Sequence, residues 1–291
     1  MFKKHACYLS ICLLVAPLVA TAEDLLVVSP APVQLALSQL STVCPGLAGQ
    51  VDAPSQARLQ AFYQQQGDVV LWSEGDRRAE LQAQLQLLAD DGLDPAHYRL
   101  PPTDATGNVL CIDIGTSQQY LQALQDLHFG RLQQSRFEPV WHSQPAPDSD
   151  TQVLAMAEAG MQNVAQAFDQ ARPSAPLYLG LRSAYAALRQ QPLQHWEAVA
   201  SGPLLRPGMD DSRVPQLARR MVNGGYLSGT SAGTQYRGEL VNAVKTFQQS
   251  HSLQADGVIG PGTVTELNIS PAIRREQLRI NLERFRWLSR D

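Results

Sequence analysis

The chain has 291 residues, 44% of them hydrophobic, and sets 23 Lys and Arg against 27 Asp and Glu for a formal net charge of −4. Length and apolar content together support cores for about two domains. The acidic balance excludes the electrostatic footprint that nucleic acid or an anionic membrane demands, so recognition of a polymer would rest on shape and hydrogen bonds more than on net charge.

At the N-terminus, Lys3 and Lys4 precede an apolar run from Tyr8 to Val19, and small residues Ala20-Thr21-Ala22 follow. This is the pattern of a cleavable secretory leader over residues 1–22, and the run is shorter than the roughly 20 residues that span a bilayer. The mature chain is expected to start near Glu23 and to carry no membrane span. Ile11 stands before Cys12 where lipidation needs a small residue, so Cys7 and Cys12 leave with the leader. Cys44 and Cys111 remain as a candidate disulfide in an oxidising compartment, with two free buried thiols as the alternative. Neither their spacing nor a neighbouring His suggests a metal site.

Residues 23–54 hold scattered Pro, Ser and Gly and read as an extended lead-in. From Ser55 the pattern turns helical, with Leu59, Phe62 and Tyr63 on one face, a stop at Gly67 and the apolar stretch Val69-Val70-Leu71-Trp72. A second helix spans about Arg78 to Asp90 on the stripe Leu81, Leu85 and Leu88, and Asp91-Gly92-Leu93-Asp94-Pro95 makes a turn. Gln118 to Leu127 returns to helical spacing through Leu121, Leu124 and Leu127 and closes at Phe129-Gly130-Arg131. A linker from Ser143 to Asp150 leads to a helix faced by Val153, Met156, Ala157 and Met161. Pro173 and Pro176 bracket a break before a helix from Leu177 to Leu188. Residues 55–202 are thus expected to form an all-helical body, its Gln-rich faces turned to solvent.

Residues 203–270 change character and predict three short helices around one core. In the first, capped by Asp210 or Asp211, Val214, Leu217, Ala218, Met221 and Val222 make a complete amphipathic stripe, ended by Gly224-Gly225. The second, about Glu239 to His251, turns Leu240, Ala243, Val244 and Phe247 inward and Lys245, Gln248 and Gln249 to water. Asp256-Gly257 forms a tight turn, and Gly260-Pro261 opens the third helix, which buries Val264 and Leu267. A terminal helix over residues 271–291 is expected to bury Leu278, Leu282, Phe285 and Leu288, leaving Arg284, Arg286 and Trp287 as an exposed edge. The fold class is mainly α.

Arg213-Val214 with Leu217, Gly225-Tyr226-Leu227, Ala243-Val244-Lys245-Thr246-Phe247-Gln248, Asp256-Gly257-Val258-Ile259-Gly260 and Thr263 together resemble the peptidoglycan-binding module of bacterial wall enzymes. Upstream, Phe62-Tyr63 with Leu71-Trp72, the turn at Asp91 with Tyr98, His128-Phe129-Gly130-Arg131 and Trp141 are similar to the scaffold domain of large periplasmic L,D-transpeptidases, as is the helix Leu278 to Leu288. The resemblance implies a periplasmic protein whose partner is peptidoglycan. In that family the final helix leads into a catalytic domain with a nucleophilic cysteine in a Ser/Thr-His-Gly-Cys motif. No such motif occurs in these 291 residues, and no cysteine follows Cys111. Thiolate chemistry needs a cysteine beside a histidine, so no catalytic residue and no cofactor is assigned.

The expected function is therefore non-catalytic wall binding. Two alternatives stand beside it: the N-terminal part of a transpeptidase that cross-links stem peptides, and a scaffold that docks a wall-synthesis enzyme through the Trp287 edge. The polymer would meet a shallow groove near Tyr226 and Tyr236, with Asp256 as a further contact, although Asp256-Gly257 reads first as a structural turn. His128, Glu138 and His142 lack HExxH spacing and are not taken as a metal site. Asp90-Asp91 read as a solvated helix end rather than a glycosidase pair.

Overall fold

A computed structural model describes residues 32–73, 76–103, 108–132, 149–192, 197–229 and 233–288. The expected leader over residues 1–22, Trp141, Glu138, His142 and most of the linker before Asp150 lie outside the described residues. Within them the chain is helical and holds only two isolated β-bridges, Leu205 with Ile259 and Asp210 with Gln235.

The lead-in differs from expectation. Residues 32–43 form two short helices, α1 (Pro32–Ser38) and α2 (Leu40–Val43), which bury Val33, Ala36, Leu37 and Leu40. Those four stand at helical spacing, but Pro32 and Pro45-Gly46 frame a segment too short for periodicity to outweigh them. Cys44 and Cys111 are disulfide-bonded with Cα atoms 5.4 Å apart, tying this lead-in to the long central helix.

The first core gathers α3 (Ala53–Gln65), α4 (Arg77–Leu87), α5 (Val109–Phe129), α6 (Ser149–Gly160) and α7 (Val164–Ala171). Leu59, Phe62, Tyr63, Leu81, Leu85, Leu88, Leu121, Leu124 and Leu127 are all buried in it. Helix α5 starts nine residues before the predicted Gln118, capped by Asn108, whose side chain accepts the Leu110 amide at 2.9 Å. Its first turns hide because Asp113, Thr116 and Ser117 are polar yet buried. Asp113 accepts the Tyr63 hydroxyl at 2.6 Å and the amides of Leu71 and Trp72 at 2.9 and 2.7 Å, while Ser117 takes the Trp72 indole N–H at 2.8 Å. The apolar stretch Val69 to Trp72 is therefore a coil whose backbone donors are satisfied by a helix side chain rather than by a strand partner.

The second core is the module. Helices α9 (Val214–Asn223), α10 (Glu239–Ser250) and α11 (Pro261–Leu267) enclose Val214, Leu217, Met221, Val244, Phe247 and Leu267. Val199, upstream of the expected boundary, joins this core, and its amide and carbonyl are both held by the Asn268 side chain at 2.8 and 3.0 Å. Asp211 does not cap α9 through its first-turn amides. Its carboxylate grips Arg213, by the amide at 2.8 Å and the guanidinium at 2.9 and 2.8 Å. Gln248, expected to face water, is buried and spans the Asp256 turn, accepting from the Gly257 amide at 2.9 Å and donating to the Val258 carbonyl at 3.0 Å.

A third, smaller cluster joins α8 (Pro176–Gln190) to α12 (Pro271–Leu288) through Tyr178, Tyr185 and Leu282, with Leu278 and Phe285 against them. After the module the chain thus returns to the first domain. Here the exposed edge expected on the last helix is corrected in part: Arg284 is exposed, but Arg286 is 0% and Trp287 6% exposed, whereas Leu288 is 44% exposed. The cause is a polar pocket in the first domain that takes the arginine, described next.

Candidate functional site

Two of the three sequence candidates for ligand contact stand apart from the third. Tyr236 is fully buried in the module core, its hydroxyl donating to the Gly257 carbonyl at 2.6 Å, and burial pushes its phenol well above the ordinary value. Its ring is an internal strut and offers no face to a polymer. Asp256 is exposed, but its carboxylate accepts the Val258 amide at 2.8 Å across its own turn and lines no cleft with Tyr226. Tyr226 alone is half-buried and borders open space.

That space is a cleft of about 350 Å³ where the module meets the end of α8 and the start of α12. Its volume lies in the range of small-ligand sites. One wall is aromatic: Tyr226 meets Phe247 edge-on at 5.5 Å between centroids, and Phe247 lies 4.1 Å from the His251 ring. The Tyr226 hydroxyl shares a 2.9 Å hydrogen bond with Ser250. Met221, Leu267, Ile269 and Leu188 add apolar surface. Around it stand Arg220, Arg274 and Arg275, with Glu266 as the carboxylate among them. Arg274 pairs with Glu266, and His251 lies 3.8 Å from the same carboxylate. Arg275 donates to two carbonyls, Leu188 at 2.6 Å and Gln191 at 3.0 Å, and Arg220 donates to the Glu197 carbonyl. Burial draws the Arg220 guanidinium below its ordinary value, against the pull of Glu197. Such a cleft can hold an apolar group and an anion. Among the described residues no three His, Cys, Asp or Glu are grouped to hold a metal.

Sequence reasoning missed a second constellation. Asp91, expected to be solvated, is 0% exposed and accepts Arg172 at 3.0 Å, Arg182 at 3.0 Å and the Tyr178 hydroxyl at 3.0 Å. Arg286 of α12 reaches the Asp91 carbonyl, donates to Tyr178 at 3.2 Å and pairs with Glu283 at 2.7 Å. Glu283 in turn accepts the amides of Arg131 and Leu132 at 2.7 and 2.8 Å. The two segments Asp91-Gly92 and Gly130-Arg131 are thus the dock for the terminal helix. Gly92 (φ +75°) and Gly130 (φ +84°) both need the left-handed region, and a Cβ on Gly130 would stand 2.7 Å from the Trp287 indole nitrogen. The clue in sequence was two acidic-glycine and aromatic-glycine turns far apart in the chain; nothing local joined them to Arg286.

Residues 57–184 match the family described as "Scaffold domain", and residues 210–267 match the family described as "Putative peptidoglycan binding domain". The molecule therefore combines a helical scaffold domain with a peptidoglycan-binding domain, in that order. Among curated proteins, a "Probable N-acetylmuramoyl-L-alanine amidase" of Bacillus licheniformis is 36% identical over 74 residues, 25% of this chain and 21% of that protein. The amidase CwlL of the same organism is 34% identical over 65 residues, 22% of this chain and 18% of its own length. The chain spans about a fifth of the length of the curated relatives it matches.

Proposed function

We propose that the chain attaches non-covalently to peptidoglycan through the module of α9 to α11, in the periplasm after export, and performs no chemistry with the residues described. The observation that carries this reading is the peptidoglycan-binding match over residues 210–267, which falls on a module with its own core and an open aromatic wall at Tyr226. The names of the two amidases, enzymes of the same polymer, support it. Co-sedimentation with purified insoluble peptidoglycan tests it. The full chain is expected in the pellet and a chain lacking residues 203–270 in the supernatant; a full chain that stays soluble removes the proposal.

A second reading is favoured by the scaffold match over residues 57–184 and by the motifs that resemble L,D-transpeptidases. In it, scaffold and module position the wall for a cross-linking enzyme. Reading the gene beyond the codon for Asp291 for a Ser/Thr-His-Gly-Cys motif decides it. Docking of a wall enzyme on an exposed Trp287 edge has lost its basis, since that indole is buried against Gly130.

A further inference from the structure

We infer that the cleft between the module and the α8–α12 pair binds the peptide part of the polymer, through a free carboxylate, rather than its glycan. The inference rests on the wall-binding reading and names the chemical class that the cleft would take.

Charge is the first ground. The chain as a whole is acidic, with a formal net charge of −4, yet this cleft is lined by the three guanidiniums of Arg220, Arg274 and Arg275 against the one carboxylate of Glu266. Glu266 is already engaged by Arg274. The partners of Arg275 are carbonyl oxygens of Leu188 and Gln191, which take hydrogen bonds but leave its positive charge without a counter-ion among the described residues. A guanidinium in that state favours a carboxylate, the acceptor its fork fits best.

The second ground is the rest of the lining. Neutral sugars are held by side chains that donate and accept in one plane, carboxylates and amides above all. Here the amide side chains are Gln191 and Asn223, the lining carboxylate Glu266 is already engaged by Arg274 with His251 beside it, and Met221, Tyr226, Phe247 and Leu267 supply apolar and aromatic surface. An apolar floor under a cationic rim suits a short peptide that ends in a small alkyl residue and a carboxylate. A cleft of about 350 Å³ accommodates about two or three residues of it. Arg274 and Arg275 belong to α12 and Leu188 to α8, so the first domain completes the site.

The test uses the full chain and three soluble probes: a disaccharide-tetrapeptide from the wall, the same peptide with every carboxyl amidated, and the disaccharide alone. Titration calorimetry is expected to show binding of the first, weakened by salt, and none of the other two. Arg275→Gln should weaken it about ten-fold or more, and Glu266→Gln, which removes the competing carboxylate without touching the core, should tighten it. Equal binding of acid and amidated peptides, or binding of the disaccharide alone, overturns the inference. Pelleting of the full chain with insoluble peptidoglycan, measured on the same preparation, separates the two failures. If it pellets while the tetrapeptide does not bind, wall binding stands and the peptide site falls. If it does not pellet, both fall.

Discussion

Asp91 shows how far a residue's role depends on what folds over it. In sequence it ends a leucine-striped helix and precedes Gly92, the usual place for a solvated carboxylate. In the fold it is sealed beneath α8 and α12 and answers two guanidiniums and a phenol. Removing one member of a buried ionic group leaves its partners uncompensated, at a cost of about 3–5 kcal/mol. Asp91→Asn is therefore expected to lower stability by that order, read as a shift of the urea unfolding midpoint of the scaffold domain. Tyr236 carries the opposite lesson. It looked like a ligand contact because aromatics with hydroxyls serve both cores and binding faces, and one residue's type does not say which. Tyr236→Phe removes the donor to the Gly257 carbonyl and should cost about 1–3 kcal/mol of module stability while leaving peptidoglycan pelleting unchanged at temperatures where the module is folded. Tyr226 retains its open side, and the difference between the two tyrosines was not legible without the loop that folds Tyr236 inward.

At the scale of elements, helices whose leucines recur at three and four residues were legible from the chain: α3, α4, the second half of α5, and all three helices of the module. What escaped was held by side chains acting over long distances in sequence. The first half of α5 carries Asp113 and Ser117 inward to serve Tyr63, Leu71 and Trp72, so its polar residues masked a buried face. The terminal helix buries Leu282, with Leu278 and Phe285 against it, as its spacing implies, but its inner face is wider than the apolar stripe, since Arg286 and Glu283 are drawn in by Asp91 and by the amides of Arg131 and Leu132. This docking predicts that Gly130→Ala unseats α12. The backbone there has φ +84°, which an alanine adopts only with strain of about 1–3 kcal/mol, and the added methyl would meet Trp287. Limited proteolysis should then cut within residues 271–288 of the variant under conditions that leave the original chain intact, and the fluorescence of Trp287 should move toward that of an exposed indole.

At the scale of the molecule, the order of the two domains was legible, because each has its own periodicity and the intervening residues have little. Their joining was not: the chain returns from the module to the scaffold along α12, and the candidate cleft exists only because it does. The disulfide belongs to the scaffold alone. In the chain-entropy model a loop of the size closed by Cys44 and Cys111 contributes about 4 kcal/mol, so reduction should lower scaffold stability and leave the module's hydrogen exchange as it was. Acid acts on carboxylates of both domains. Burial, opposed by the hydrogen bonds from Tyr63, Trp72 and Leu71, raises Asp113 above its ordinary value of 3.8, and burial likewise raises Asp126 despite its bonds to Tyr98 and Gln122. A carboxyl that is harder to ionise when folded favours the fold most below its unfolded value, and that contribution is lost as pH rises through the folded one. Asp211 is the reverse case. Its bond to the Arg213 side chain lowers it, so its contribution is present above 3.8 and is lost as pH falls through its depressed folded value. Asp52, lowered by Ser55 at the start of α3, sets one such loss in the scaffold against the two gains there. On acidification below about pH 4, the contribution of the Asp211–Arg213 pair to the module should therefore fade, and Arg213→Gln, which removes that pair, should flatten the dependence of the module's stability on pH in this range, read by hydrogen exchange of the amides of α9. An unchanged dependence in the variant would show that the pair does not couple the module to pH.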